Sequence, residues 1–286
     1  MDLWLTEWET EGLRVQHRVV RTLFRDKSPY QEVAIVESAE FGRMLVLDGI
    51  IQTTIRDEFI YHEMLAHVPL FSHPKPERVL VIGGGDGGTV REVLKHPEVK
   101  RVHLVEIDEM VVRACREYLP ELAGKLGDPR VEVHFADGIE YVKGRRHAFD
   151  VILVDSSDPL GPAEGLFTTE FYRDASEALK KDGILAVQSE SPFVTPDLVK
   201  AIYEAISPHF QSAQLYTAQV PVYSVGPWSF VIASKRLADC RAPKRTRASV
   251  KTRYYSPEVH KAAFVLPPYI QERLHAAGET GDASLA

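Results

Sequence analysis

The stretch that decides the fold is RVLVIGGGDGG, residues 78–88. After Arg78 it begins with four apolar, mostly β-branched residues, which is typical of a buried strand. Five glycines then occur within six residues, with Asp86 among them, and they contain the pattern G-x-G-x-x-G. Such a pattern after a strand is typical of a tight turn that leads into a helix. The segment therefore predicts a strand–turn–helix unit of an α/β sheet.

The same alternation of strands and helices continues downstream. We predict further strands at 102–105, 131–135, 151–154, 184–187, 213–216 and 230–233, with apolar residues at helical spacing between several of them. Alternation of this kind predicts a parallel sheet with helices on both faces. The fold class is therefore α/β, a Rossmann-like, doubly wound sheet of the methyltransferase type.

Upstream of this sheet the chain is expected to form a small antiparallel β domain. Strand-like stretches run from 14 to 24 and from 31 to 37, and Asp48-Gly49 separates two short apolar runs as a hairpin turn does. We divide the chain into a hairpin domain (1–56), a helical connection (57–76), a catalytic domain (77–238) and an extension (239–274). The last residues (275–286) are predicted to be a disordered tail.

The composition narrows the classes of function. The chain has 286 residues, of which 44% are hydrophobic, and its formal net charge is −7. An acidic chain is a poor ligand for nucleic acid or an anionic membrane, so we expect neither partner. Two cysteines are too few for a disulfide framework, and the acidic N-terminus is unlike a signal peptide. We expect a protein of the cytoplasm.

The first four strands of the α/β sheet all lead into acids at their carboxyl ends. These acids are Asp86, Glu106, Asp137 and Asp155, and Asp158 follows three residues after the last of them. Ligands of open α/β sheets bind at this edge. A carboxylate inside the glycine turn would repel a pyrophosphate, so Asp86 favours a ligand that is positive there. The alternative is that Asp86 only caps a helix.

Glu106 and Asp137-Gly138 fit the nucleoside part of such a ligand. Glu106 lies twenty residues after Asp86, a spacing at which an acid commonly accepts hydrogen bonds from ribose hydroxyls. Asp137 could receive an adenine amine, and Gly138 would leave room for the ring; by themselves the two residues could equally form a turn. Together these acids indicate a sulfonium nucleoside rather than NAD.

The most specific segment is DSSDP, residues 155–159, in which a strand delivers two carboxylates on a short turn. A primary amine is almost entirely protonated at pH 7. Its attack on an electrophile therefore needs a base, and Asp155 and Asp158 could supply a base and an anionic anchor. The alternatives are a helix cap or a divalent metal ion; no further acid or Asn is spaced to complete a metal shell. Residues 160–165 are expected to form a lid.

These motifs resemble the polyamine aminopropyltransferases, the spermidine synthase family. The resemblance extends from about Trp4 to Leu274. It rests on these stretches: SPYQ (28–31), LDG (47–49), DEFIYHE (57–63), the glycine turn (83–88), DSSDP (155–159), GPAE (161–164), LF (166–167) and YYSPEVHKAAF (254–264).

The resemblance implies transfer of a 3-aminopropyl group from decarboxylated S-adenosylmethionine to an amine, usually putrescine. Spermidine and 5′-methylthioadenosine would be the products. It also implies a homodimer or homotetramer without a metal or a bound cofactor, in which the sulfonium nucleoside serves as co-substrate.

Roles for individual residues follow from the resemblance motif by motif. Gln31, Glu106 and Asp137-Gly138 would hold the methylthioadenosine part, with Pro162 beside it. Asp86 would hold the ammonium of the aminopropyl group, and Tyr61 and His62 would shape the amine site. Asp155 would be the base, Asp158 would anchor the acceptor, and Ser156 and Ser157 would belong to the same substrate-binding turn.

Tyr223 is a weaker match than the others. The family often has Pro-x-Tyr-Pro-Ser-Gly at this point, whereas this chain has PVYSVG, residues 221–226, and lacks the second proline. The departure leaves the role of Tyr223 and the choice of acceptor open.

Two other classes of function remain at this point. A methyltransferase that uses S-adenosylmethionine would explain the glycine turn, Glu106 and Asp137, but not Asp86 or the pair Asp155 and Asp158. A protein that only senses polyamines or nucleosides would bind these molecules without turnover. The acceptor could also be cadaverine, agmatine or spermidine.

Overall fold

The computed structural model describes residues 3–158, 161–245 and 250–275. Its N-terminal part is a five-stranded antiparallel sheet, with strands in chain order: β1 (Leu3–Thr10), β2 (Leu13–Lys27), β3 (Glu32–Ser38), β4 (Gly42–Leu47) and β5 (Ile50–Thr54). The predicted antiparallel sheet is confirmed, although β1 is not among the strands expected from the sequence. The hairpin at Asp48 and Gly49 is also confirmed, because both residues have the positive φ angles, 48° and 87°, that this turn needs.

The second sheet has seven strands in the order β11-β12-β10-β9-β6-β7-β8. They are β6 (Arg78–Gly83), β7 (Arg101–Glu106), β8 (Val131–Phe135), β9 (Phe149–Asp155), β10 (Leu179–Gln188), β11 (Ser212–Ala218) and β12 (Trp228–Ser234). All seven strands expected from the sequence are present. The chain runs outward from β6 in both directions, which confirms the doubly wound Rossmann-like arrangement.

The expectation that this sheet is parallel throughout is wrong at one edge. β12 is antiparallel to both β10 and β11. Only a loop, residues 219–227, joins β11 to β12, and a connection of this length produces a hairpin, whereas a parallel pair needs a crossover of a dozen or more residues.

Helices cover both faces of the second sheet. They are α1 (Glu58–Ser72), α2 (Gly88–Val93), α3 (Glu109–Tyr118), α4 (Pro120–Ala123), α5 (Gly138–Val142), α6 (Thr169–Ala178), α7 (Pro196–Ile206), α8 (Pro257–Ala263) and α9 (Pro268–His275). Alternate strand residues belong to different cores: Val79 and Val81 pack with α1, α2 and α3, whereas Leu80 and Ile82 pack with α6 and α7. This two-sided burial explains the continuous apolar runs of the central strands.

The N-terminal sheet is fastened to the second one beside α3. Asp108, the N-cap of α3, accepts a hydrogen bond from the backbone N–H of Met110. Its other oxygen accepts hydrogen bonds from the Ser28 hydroxyl (2.7 Å) and the Gln31 amide (3.0 Å). These contacts bring residues of the hairpin region to the carboxyl edge of the α/β sheet.

Within the described residues, no helix combines the length and the apolar character needed to cross a bilayer. Both cysteines, Cys115 and Cys240, are buried free thiols. The tail predicted to be disordered lies outside the described residues, apart from His275.

Candidate active site

The glycine turn lies against the end of β9. Gly83 pairs with Asp155, and Gly83 and Gly84 have positive φ angles of 75° and 66°. A Cβ atom at Gly83 would lie 2.2 Å from the Asp155 carbonyl oxygen, and one at Gly84 would lie 2.5 Å from Asp155 Oδ2. Only glycine permits this backbone and this approach, so the turn serves to pack against an acidic side chain.

Asp155 is a buried carboxylate with an incomplete set of partners. Its Oδ1 accepts a hydrogen bond from the Tyr61 hydroxyl at 2.8 Å, whereas Oδ2 has no partner among the described residues. Burial, together with the charge of Asp86, raises the pKa of Asp155 above its usual value. A carboxylate in this state can accept a proton more readily than one in water, as a general base must.

Asp86 belongs to a buried row of charges. Its Oδ1 accepts a hydrogen bond from the backbone N–H of Gly88, the first residue of α2, at 2.7 Å, and the same atom lies 3.4 Å from His62 Nε2. His62 Nδ1 in turn lies 2.6 Å from Glu58 Oε2, and Arg91 binds the same oxygen of Glu58.

Neighbouring charges in this row set the pKa values of His62 and Asp86. Burial alone would lower the pKa of His62, but the carboxylates of Asp86 and Glu58 outweigh it and hold the pKa well above its usual value. Burial alone would likewise raise the pKa of Asp86, but His62 lowers it. His62 is therefore an imidazolium and Asp86 an ionised carboxylate at neutral pH.

Glu106 faces the glycine turn from the end of β7. Its two oxygens accept hydrogen bonds from the backbone N–H groups of Gly85 (3.1 Å) and Asp108 (2.9 Å). Burial nevertheless raises the pKa of Glu106 to about 7. Backbone donors thus fix the position of Glu106. Gln31 is linked to it through Asp108, whose side chain accepts a hydrogen bond from the Gln31 amide and whose backbone N–H donates to Glu106.

Asp137 and Gly138 begin α5. Asp137 is exposed and caps the helix by accepting a hydrogen bond from the backbone N–H of Ile139 at 2.7 Å, so the turn interpretation of this pair describes part of its role. A Cβ atom at Gly138 would lie 2.3 Å from Ile82 Cγ2. The glycine is therefore required by packing against β6, a different reason from the expected space for an adenine ring.

Further acids surround Asp158. Glu190 follows β10, and burial and the charge of Asp158 raise its pKa well above the usual value. Burial also raises the pKa of Asp158. Glu7 and Glu9 come from β1; burial raises the pKa of Glu7 to about 8, with Glu9 and Asp158 contributing. Four carboxylates from three parts of the chain therefore influence one another at this end of the site.

Tyr223 lies between the two sheets. Its hydroxyl donates a hydrogen bond to the carbonyl oxygen of Gln52, and its ring contacts Trp228 with centroids 4.4 Å apart and Tyr61 with centroids 6.2 Å apart. Asp57 accepts a hydrogen bond from the Val222 backbone N–H, which fixes the loop that carries Tyr223. The aromatic wall exists despite the missing proline.

These groups line one cavity of about 310 Å³ at the carboxyl edge of the sheet. Twelve of the thirteen predicted site residues border it: Gln31, Tyr61, His62, Asp86, Glu106, Asp137, Gly138, Asp155, Ser156, Ser157, Asp158 and Tyr223. Pro162 belongs to the 3-10 helix Gly161–Phe167, but its side chain lies outside the described residues. Residue 160 of the expected lid lies outside them too.

The cavity is acidic and has little internal compensation. Among the described residues, no lysine or arginine lies within ion-pair distance of Glu7, Glu106, Asp155, Asp158 or Glu190. His62 is the cation beside Asp86. A cavity with this charge attracts cations.

A divalent metal ion is the other cation that the geometry allows. His62, Asp86 and Asp155 present ligand atoms that all lie within 4.8 Å of one another. A metal ion needs neutral imidazole, however, and the two carboxylates that face His62 favour its protonated form. The arrangement thus suits an organic cation better than a metal ion.

Comparisons with known proteins agree with the geometry. Residues 58–242 match the family model of the spermine/spermidine synthase domain, and residues 3–54 match that of the spermidine synthase tetramerisation domain. The chain is 51% identical to a polyamine aminopropyltransferase of Moorella thermoacetica, over 97% of this chain and 98% of that protein. It is 49% identical to one of Clostridium kluyveri, over 95% of this chain and 99% of that protein.

Solved structures show the same likeness. A spermidine synthase crystallised with the transition state analogue AdoDATO is 40% identical, has a TM-score of 0.90, and matches over 95% of this chain and 94% of its own. The spermidine synthase of Thermotoga maritima is 39% identical, with a TM-score of 0.87 and the same coverage. The chain belongs to the spermine/spermidine synthase family.

Membership in this family settles the class of reaction. The protein is an enzyme of the polyamine aminopropyltransferase type, and methyl transfer is not favoured. Membership in a family of enzymes also argues against a sensor that binds these molecules without turnover. The N-terminal match supports an oligomer, without deciding between a dimer and a tetramer.

Several lining residues were missed from the sequence: Glu7, Glu9, Gln52, Gln188, Glu190 and Trp228. Glu190 could have been found, because it follows β10 in the way that Asp155 ends β9. Glu7 and Glu9 alternate along β1, which is a strand signal, but nothing in the sequence indicates that β1 reaches the carboxyl edge of the other sheet.

The raised pKa values predict how stability depends on pH. Glu7, Glu190 and His62 retain protons in the folded protein above the pH at which the unfolded chain releases them. The native state therefore binds more protons than the unfolded state, and stability must fall as pH rises. We expect the free energy of unfolding to fall between pH 7 and pH 8, with about 1 kcal/mol of the loss due to Glu7, whose pKa is about 8.

Urea unfolding at several pH values, without substrates, measures this slope. Glu7→Gln should make the slope shallower, whereas Glu11→Gln, an exposed acid on the neighbouring turn, should not. A free energy that is constant or rises over this interval contradicts the assigned protonation states.

Proposed function

We propose that the enzyme transfers the 3-aminopropyl group of decarboxylated S-adenosylmethionine to putrescine, giving spermidine and 5′-methylthioadenosine. The proposal rests on the positions of Asp155 and Asp86, which border the same acidic cavity. The residues assigned to the nucleoside lie on one side of this pair, and further acids lie on the other. A cytoplasmic location, and a homodimer or homotetramer, remain part of the proposal.

The nucleoside half of the donor is assigned to the β7 and β8 ends of the cavity. Glu106, held by backbone donors, is placed to accept hydrogen bonds from ribose hydroxyls, with Gln31 beside it. Asp137 and Gly138 are assigned to the adenine, and Pro162 next to them. The roles are expectations carried from the family; the support is that Gln31, Glu106, Asp137 and Gly138 border the same cavity.

Asp86 is assigned to the ammonium of the aminopropyl group. His62 compensates part of the charge of Asp86. His62 also faces the carboxylate of Glu58, so its single positive charge is shared between two carboxylates. S-adenosylmethionine itself carries a carboxylate in addition to this ammonium. A carboxylate near Asp86 would meet like charge in a partly dry site, which favours the decarboxylated donor.

Asp155 is assigned to accept the proton of the attacking amine. The amine nitrogen forms a bond to the aminopropyl carbon next to sulfur, the carbon–sulfur bond breaks, and its electron pair returns to sulfur to give the neutral thioether. The proton released by the new secondary amine passes to Asp155. The Tyr61 hydroxyl holds one oxygen of Asp155, and the second oxygen, beside the glycine turn, has no hydrogen-bond partner among the described residues.

The acceptor half of the cavity continues from Asp155 past Asp158 to Glu190 and Glu7. An α,ω-diamine has a second ammonium that must also leave water, and the raised pKa values show that these acids gain most from a cationic neighbour. The aromatic pair Tyr223 and Trp228 flanks the path for the methylene chain. A diamine of putrescine type, which has an ammonium at each end and an apolar chain between them, therefore matches the acids and the aromatic pair of this half of the cavity.

Replacing the base tests the chemistry. In Asp155→Asn the amide can still accept a hydrogen bond from Tyr61 but cannot take up a proton, so we expect kcat to fall by about 10²- to 10⁴-fold. Binding of 5′-methylthioadenosine, measured by calorimetry, should change little. Asp48→Asn, which removes a charge at the rim of the same cavity, is the control and should retain kcat within about threefold. Turnover of Asp155→Asn close to that of the wild type would reject the base.

A pair of variants tests which half binds which substrate. Asp86→Asn should raise KM for the decarboxylated donor by about tenfold or more, with little effect on KM for putrescine. Glu7→Gln should do the reverse. Each variant is the control for the other, because both remove one carboxylate charge and retain a hydrogen-bond acceptor. Equal effects on both substrates would contradict the assignment of the two halves.

A further inference from the structure

A second cluster of titratable side chains lies on the outer edge of the α/β sheet. His103 is on β7, and Glu132 and His134 are on β8, which is the edge strand. His103 pairs with Glu132, and Val105 pairs with His134. Residues two apart on a strand point to the same face, so the pairing places all three side chains on one side of the sheet. All three are half-buried.

The ligand atoms of these side chains form a compact triangle. His103 Nδ1 lies 3.3 Å from His134 Nε2 and 3.6 Å from Glu132 Oε2, and the remaining edge, from His134 Nε2 to Glu132 Oε2, is 3.8 Å. Ligands about 2.1 Å from a tetrahedral zinc ion are separated from one another by about 3.4 Å. The three edges therefore come within a few tenths of an ångström of a tetrahedral face.

The separation of the two imidazole rings agrees with these distances. Their planes differ by only 6°, and their centroids are 5.4 Å apart. Two imidazoles on one ion at the tetrahedral angle would have centroids about 5.3 Å apart, given zinc–nitrogen bonds of about 2.1 Å. The separation of the two rings therefore matches that of two imidazole ligands on one ion.

The neighbours of the cluster support its use as a ligand set. Arg101 forms an ion pair with Oε1 of Glu132, which fixes the carboxylate and leaves Oε2 for the histidines. Outer contacts of this kind orient ligands in metal sites. The Tyr141 hydroxyl lies 3.0 Å from His103 Nδ1 and is the partner that an ion would replace.

We propose that His103, Glu132 and His134 bind one zinc ion, or a divalent ion of similar preference, at a site separate from the acidic cavity. Two nitrogens and one carboxylate oxygen are the donors that zinc prefers, and a fourth position remains for water. The charges of Arg78 and Arg101 nearby weaken the attraction but do not occupy the ligand atoms.

A bound ion would tie the edge strand to its neighbour. Glu106 follows His103 by three residues on β7, and Asp137 follows His134 by three residues beyond β8. Zinc would therefore stabilise the strand ends that carry the nucleoside half of the cavity. This consequence rests on the proposed function, but binding of the ion does not.

Titration of the metal-free full-length enzyme with zinc chloride tests the proposal. We expect one ion per chain by calorimetry, and a higher Tm in the presence of zinc because the ion binds only the folded protein. His134→Ala and Glu132→Gln should each lower the affinity at least about tenfold and abolish the shift in Tm. Glu132→Gln is nearly isosteric, so it serves if His134→Ala fails to fold.

The control is His209→Ala, a half-buried histidine elsewhere on the surface, which should bind zinc as the wild type does. Zinc binding that His134→Ala and Glu132→Gln both leave intact would overturn the proposal. So would binding that is lost in Asp86→Asn and kept in His134→Ala, because the ion would then lie in the acidic cavity. Neither outcome bears on the proposed aminopropyl transfer, which is measured separately with the metal-free protein.

Discussion

Carboxylates that no lysine or arginine of the described residues neutralises are the constraint on which the rest of this structure depends. Burying an ionised acid is costly unless a partner compensates it. The protein meets the cost in two ways: His62 compensates Asp86, whereas Glu7, Asp155 and Glu190 have raised pKa values and hold protons more readily. The cavity is therefore prepared for cations that arrive with the substrates.

The fold brings these acids together through close backbone approaches. The turn after β6 can lie against Asp155 because Gly83 and Gly84 have no side chains, and α5 can pack on β6 because Gly138 has none. The hairpin sheet contributes Glu7 from β1 and joins the second sheet through Asp108. One cavity thus depends on contacts between both sheets.

Much of this arrangement could be predicted from the sequence, for physical reasons that also explain the failures. Apolar strands that end in acids are local signals, so the order of strands and the positions of Asp86 and Asp155 follow from the pattern. The antiparallel pairing of β12 and the position of Glu7 depend on contacts between distant segments, and no local pattern encodes them. The reason for Gly138 is its approach to Ile82, which only the packed structure reveals.

The most direct test of the acidic cavity is a count of the protons released when a diamine binds. Calorimetric titration of the complex with 5′-methylthioadenosine by putrescine at pH 7, in two buffers of different ionisation enthalpy, gives this number. Acids that hold protons in the empty cavity must lose them beside a cation, so we predict a net release of about one proton per site. No release, or a net uptake, would contradict the account.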